Sequence, residues 1–303
     1  LNVLITGGTG FIGKPLVARL LTLGHQVTVL VRDYASARIS LGVAVELIKS
    51  LDEVSEEQIF DVVINLAGAG IADQRWSRSR KKTLLTSRLQ TTRNLIRLFR
   101  RLKQPPAQMI SASAIGFYGS GTSQPLTENS LPNHEFTHEL CKRWEEEAQK
   151  AVLLGVNVCI ARLGVVLGAD GGMLAKLFPV FRLGLGGPTG NGRQMLSWVH
   201  REDVIRCFLW MMEHHKAGIF NLTAPKAVDN LEFSRSLAAA LKRPAWLPLP
   251  AVMVRLMFGE MGERLLLHGQ NVVPARLLAE GFDFEYPAID VAIRACLCDL
   301  KPN

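Results

Sequence analysis

The residues near the amino terminus with the most chemical consequence are glycines, in the run Gly7-Gly8-Thr9-Gly10-Phe11-Ile12-Gly13. Missing side chains let the main chain turn tightly and lie against a pyrophosphate. A helix beginning there adds unpaired N–H groups and a partial positive charge. The G-x-x-G-x-x-G spacing therefore predicts a diphosphate cradle formed by Gly7, Thr9, Gly10, Phe11, Ile12 and Gly13. A P-loop is the competing arrangement, and residues 8–14 approach it, but Pro15 stands where a magnesium-binding hydroxyl is required. Arg32-Asp33 bring the second piece of chemistry. They end the apolar run at residues 26–31, whose tip, in a dinucleotide-binding sheet, lies beside the adenosine ribose. An arginine there meets a 2′-phosphate, whereas a carboxylate accepts from a 2′-hydroxyl. Arg32 at the tip, with Arg38 nearby, selects NADP as the cofactor; Asp33 would serve NAD if the register slipped by one.

A further group could move protons. Ser113 follows the apolar run at 108–111, and His138 and Lys142 share a helical face at i, i+4. An imidazole, with a reference pKa of about 6.5, exchanges protons near neutrality, and an adjacent ammonium pushes it toward its neutral form. The plainer alternatives are that Ser113 satisfies main chain at a strand end and that His138 is a polar helix residue with no third group to orient it. His214 and His215 point in different directions, and no His/Cys cluster has ligand spacing, so no metal is expected.

These residues need a scaffold. Apolar runs at 3–5, 26–31, 44–48, 61–66, 108–111 and 156–160 read as strands separated by helices, which predicts a parallel sheet covered on both faces. Its ligands belong at the carboxyl ends of the strands, where Gly7, Arg32, Leu66-Ala67-Gly68 and Ser111-Ala112-Ser113 all fall. The fold class is thus α/β, a Rossmann-type doubly wound parallel sheet with a smaller C-terminal substrate lobe.

Asn65-Leu66-Ala67-Gly68, Ser111 through Gly119, Arg162-Leu163-Gly164, and Gly190-Asn191-Gly192-Arg193-Gln194 leading to residues 198–204 carry a family pattern. Over nearly its whole length the chain resembles the extended short-chain dehydrogenase/reductase superfamily. Arg75-Trp76, Ser87-Arg88 and Trp144-Glu145 resemble one branch, the NAD-dependent epimerase/dehydratase family proteins of unestablished substrate with a small C-terminal domain of unknown function. The resemblance implies oxidoreductase or epimerase chemistry on a small carbonyl or hydroxyl substrate, with Leu66, Ala67, Gly68, Arg88 and Ser111 also at the cofactor. It implies catalysis by Ser113 and by a Tyr-x-x-x-Lys pair. Here that stretch reads His138-Glu139-Leu140-Cys141-Lys142, with the lysine kept and the tyrosine absent, and Ala69 stands where the branch often has Glu. His138 or Tyr118 would then relay the proton. The alternative is a catalytically silent NADP(H) sensor or regulatory protein.

Composition sets the remaining bounds. The 303 residues are 48% hydrophobic, and no run reaches spanning length or has a signal layout, so a soluble, cytoplasmic protein with no membrane partner is expected. Five cysteines without C-x-x-C spacing fit reduced thiols. The formal charge is +8, and residues 74–127 contain no acid. Nucleic acid is the weaker reading of that basic stretch, because aromatic interleaving is sparse and a solvated helix face explains it. Oligomerisation stays open. The NADP-binding domain is expected at 1–165 and 200–225 and the substrate lobe at 166–199 and 226–303. In the lobe, Met173, Phe178, Phe181, Met195 and Trp198 would line an apolar pocket with Arg182 and Arg193 for an anion, and the glycine-rich segment 183–192 would act as a lid over substrate or be an ordinary surface loop. Residues 230–241 read as a helix capped by Asp229 or Asn230.

Overall fold

A computed structural model describes residues 1–298; the last five residues of the expected lobe, 299–303, lie outside the described part. Seven strands form one parallel sheet: β1 (Asn2–Thr6), β2 (Gln26–Leu30), β3 (Glu46–Ile48), β4 (Val62–Asn65), β5 (Gln108–Ala114), β7 (Asn157–Leu163) and β11 (Gly218–Leu222). Their spatial order is β11-β7-β5-β4-β1-β2-β3, as expected for a Rossmann-like sheet. Alternation within β1 shows why both faces must be covered. Val3 and Ile5 enter a core with Leu16, Val17 and Leu20 of α1 (Gly13–Thr22) and Phe208 and Met211 of α6 (Arg201–Glu213). Leu4 points the other way, toward Leu95 and Phe99 of α3 (Arg78–Arg101) and Ala148 of α4 (Phe136–Gln149). Each such side chain, fully buried, favours folding by about 1.5–3 kcal/mol.

The order reverses at β1, which pairs with β2 on one side and β4 on the other. Chain therefore leaves the two strands in opposite directions and opens a crevice at their carboxyl ends. A buried polar ladder ties those ends together. Thr6 Oγ1 donates to Asn65 Oδ1 at 2.7 Å, and Asn65 Nδ2 donates to Thr92 Oγ1 at 3.0 Å and Ser111 Oγ at 3.2 Å.

The other strands are short: β6 (Thr122–Leu126) pairs with β13 (Gln270–Val272), β8 (Val165–Leu167) with β10 (Trp198–His200), and β9 (Met195–Leu196) with β12 (Val228–Asp229). A third core gathers Leu174, Phe178 and Phe181 of α5 (Gly172–Arg182), Trp198, Phe233 and Leu237 of α7 (Asn230–Ala240), and Ile289 and Ile293 of α10 (Ile289–Cys298). Phe178, Phe181 and Trp198 are thus at most 3% exposed and pack as core, which corrects their expected place in a pocket wall. Segment 183–192 is likewise not a free lid. Gly190 N donates to Leu249 O, Leu249 N to Pro188 O, and Thr189 N to Asn230 Oδ1.

Asp229 caps α7 by accepting from Glu232 N at 2.7 Å. α8 (Ala251–Gly262) is bent at Gly259, whose φ of +58° takes it out of helical geometry. The C-terminal elements also reach the main sheet. Leu277 of α9 (Ala275–Ala279), Phe282 and Phe284 join the core around β1, and the Arg276 guanidinium donates to the Ala217 and Ile219 carbonyls beside edge strand β11.

Candidate functional site

The glycine turn leaves no room for a side chain at its two outer glycines, Gly7 and Gly13. Gly7 has φ +74°, and a Cβ on it would lie 2.9 Å from the Leu66 carbonyl carbon, so the ends of β1 and β4 pack main chain against main chain. A Cβ on Gly13 would lie 2.2 Å from Gly7 O. Gly10 differs: its N donates to Gly7 O, but a Cβ there would meet only that oxygen, at 3.2 Å. Thr9 and Gly10 are exposed, and α1 begins at Gly13 with no acid in its first turn. The arrangement leaves N–H groups and the positive helix end facing the crevice, as a diphosphate requires. Phe11 turns away to wedge against Gly168, Gly171 and Gly172, with the Arg201 guanidinium 4.8 Å from its ring centroid. It therefore locks the turn to the loop after β8. Ile12 is the N-cap residue of α1.

At the tip of β2, Arg32 is exposed, and Asp33 is already occupied. Its Oδ1 accepts from Ser36 N at 3.1 Å as the N-cap of α2 (Tyr34–Leu41), and that hydrogen bond holds its carboxyl below the usual range. Arg38 donates to Gly42 O, Val45 O and the Tyr34 hydroxyl, which ties it to its own loop.

Beyond the end of β4, Gly68 faces Arg88: a Cβ on the glycine would lie 3.0 Å from the guanidinium carbon. Arg88 is half-buried, lies 5.1 Å from the Trp144 ring centroid and donates to Leu84 O. Among the described residues no carboxylate pairs with it, and burial pulls its pKa below the ordinary value. The Trp144 indole N–H beside it is buried without an acceptor. Ser111 is 1% exposed, and its hydroxyl belongs to the ladder with Asn65.

Ser113 lies inside β5 rather than beyond it, and its hydroxyl donates to Glu145 Oε1 at 2.6 Å. Glu145 is gripped by Arg162, through Nε at 2.9 Å and Nη2 at 2.7 Å, and Arg162 Nη1 donates to the Tyr118 hydroxyl. Tyr118 in turn donates to Asn221 Oδ1 at 2.7 Å, and burial raises the pKa of its phenol. The Phe117 ring lies 3.4 Å below the Arg162 guanidinium. A buried charge pair needs such saturation with partners. Trp144-Glu145 and Arg162-Leu163-Gly164 stand as separate motifs in the sequence, which does not itself pair the acid with the base.

His138 is 3% exposed, and its Nδ1 lies 2.6 Å from Phe117 O. A carbonyl can only accept, so Nδ1 carries hydrogen, and the backbone supplies the orienting group that the sequence did not reveal. Lys142 of α4 is exposed, whereas Ser113 and His138 are buried. The inward neighbour is Cys141, whose thiol burial pushes up to about 11 and which lies beside Ser113 and Arg88. Gly116 packs on Thr137 and Cys141.

A reversed parallel sheet with a glycine turn between strand and helix defines a Rossmann-type dinucleotide-binding protein. The chain belongs to the NAD dependent epimerase/dehydratase family, whose sequence profile matches residues 3–223, and residues 249–296 match a domain of unknown function, DUF1731. It is similar to mouse epimerase family protein SDR39U1, 37% identical over 303 residues, covering 97% of this chain and 99% of that one. Similarity to Bacillus subtilis epimerase family protein YfhF is 35% over 307 residues, with 99% of both chains covered. Human SDR39U1 (isoform 2), crystallised with NADPH, superposes with a TM-score of 0.89 at 33% identity, covering 99% of this chain and 100% of that one.

Proposed function

We propose that this protein binds NADP(H) and transfers hydride to or from a small carbonyl or hydroxyl compound. The observation that carries the cofactor half is the division of labour at Arg32-Asp33. The carboxylate that would favour NAD caps α2, while the guanidinium one residue earlier is exposed at the β2 tip. The glycine turn fits a diphosphate, since close packing keeps Gly7 and Gly13 free of side chains and leaves Thr9 and Gly10 exposed ahead of the α1 N-terminus. Gly7, Thr9, Gly10 and Gly13 hold the diphosphate, Arg32 the 2′-phosphate, and Leu66, Ala67, Gly68 and Arg88 the far ribose. NADPH bound to human SDR39U1 supports this choice. The bound nicotinamide supplies the hydride acceptor or donor.

The chain's own residues handle protons and position. With its hydrogen directed at Glu145, Ser113 offers lone pairs and so accepts from a substrate hydroxyl. His138, held through Nδ1–H, presents Nε2 as the basic nitrogen. A second reading, cofactor binding without turnover in a sensor, is favoured by two observations: Lys142 is exposed, and the Ser113 proton is committed to a carboxylate.

Fluorescence titration with NADPH and NADH tests the cofactor assignment. A charge-assisted arginine–phosphate contact predicts that Arg32→Glu lowers the preference for NADPH about ten- to a hundredfold. Equal affinity for both coenzymes in both proteins overturns it. Single-turnover oxidation of bound NADPH by a panel of carbonyl compounds separates the two readings; tight binding with no oxidation by any of them leaves the sensor.

A further inference from the structure

Residues 171–199 and 233–259 contain no acidic side chain. These two stretches meet through the bridge between Thr189 and Leu249, and Gly187 lies so close that a Cβ on it would be 2.2 Å from Leu247 O. Large apolar side chains stand in solvent on both. Trp246 is 76% exposed and Leu183 74%, with Leu185 and Leu247 at least half exposed. α8 extends the patch. Val252, Met253, Leu256 and Met257 recur at i, i+1, i+4 and i+5, one stripe of the helix, and all are exposed while Val254 is buried inward. Monomers rarely leave contiguous apolar surface beyond a few hundred Å² uncovered.

The charges beside the patch indicate what covers it. Arg182 precedes Leu183, and Lys242 and Arg243 precede Trp246; all three are exposed and, among the described residues, none has an acidic partner. A second copy of the chain fits poorly, because a two-fold contact through this face would bring like charges together. An apolar centre containing tryptophan and framed by cations, with Glu260 and Glu263 beyond Gly259 already paired to Lys81 and Arg255, has the composition of a surface that rests in a headgroup layer. No described helix is long and apolar enough to cross a membrane, so the contact is superficial.

We propose that this face docks on the surface of an anionic phospholipid bilayer, with Trp246, Leu247 and the α8 stripe entering the interface and Arg182, Lys242 and Arg243 meeting lipid phosphates. This revises the expectation of no membrane partner at the level of surface contact. The test is co-sedimentation of the full chain with phosphatidylcholine vesicles with and without phosphatidylglycerol. Binding is expected only with the anionic lipid, about thirtyfold weaker for Lys242→Gln/Arg243→Gln, with a blue shift of tryptophan emission lost in Trp246→Phe. Equal sedimentation with both lipids, or with neither, overturns the proposal. So does concentration-dependent dimerisation in solution that Trp246→Phe abolishes.

Discussion

Glu145 holds together most of the polar geometry beneath the crevice, because Ser113 and two arms of Arg162 all end on its carboxylate. Glu145→Ala leaves a guanidinium that is 1% exposed with its principal partner gone, and is expected to lower stability by about 3–5 kcal/mol in denaturant unfolding. Glu145→Gln keeps one acceptor and should cost less. A loss under about 1 kcal/mol for the alanine variant would show that the pair does not hold the fold. Tyr118 gives the pH dependence of the same network. Burial places its folded pKa above the unfolded value of 10.0, so its contribution is complete below pH 10 and is lost as pH rises through the folded value. Ultraviolet titration should find Tyr118 ionising in step with unfolding, and Tyr118→Phe should remove that linked ionisation. Ser113, Glu145 and Arg162 were each visible in the sequence, yet their pairing spans strand and helix, which local spacing does not encode. Helical phase hid the rest: Cys141 turns inward and Lys142 outward, although either satisfies a spacing rule.

At the scale of elements, the sheet was legible because strands buried on both faces must be continuously apolar, and the α7 cap was legible because Asp229 precedes an amphipathic run. Gly13 and Gly10 of the cradle differ in what they tolerate. Gly13→Ala drives a methyl into Gly7 O, so the turn must shift; cofactor affinity should fall at least about tenfold, with a stability loss of about 1–3 kcal/mol. Gly10→Ala meets only one oxygen at 3.2 Å and should keep native stability while still crowding the ligand side. Calorimetric titration with NADPH beside thermal unfolding distinguishes them; equal stability losses would mean that the turn is not packed as described. What eluded the pattern were the strands of two or three residues, such as β8, β9 and β10, whose pairing depends on distant segments. In the glycine-rich 183–192 segment, Gly186 and Gly187 serve close packing against Phe181 and Leu247, which composition alone does not reveal.

Across the whole molecule, length and apolar content bounded the architecture, but the path of the last sixty residues did not follow from them. Pro244, Pro248 and Pro250 obscure periodicity there, and the governing contacts join residues far apart in sequence, as β13 does with β6. Basic α3 is likewise explained only in the assembled protein: Lys81 pairs with Glu260 and Arg93 with Glu147, so part of its charge is internal glue. Arg276 has a consequence for how the protein is made. Translation delivers β11 more than fifty residues before the guanidinium that closes its outer carbonyls. Throughout that interval the nascent chain displays a bare strand border on which a neighbouring polypeptide could nucleate, and release from the ribosome with residue 276 in place is what ends the hazard.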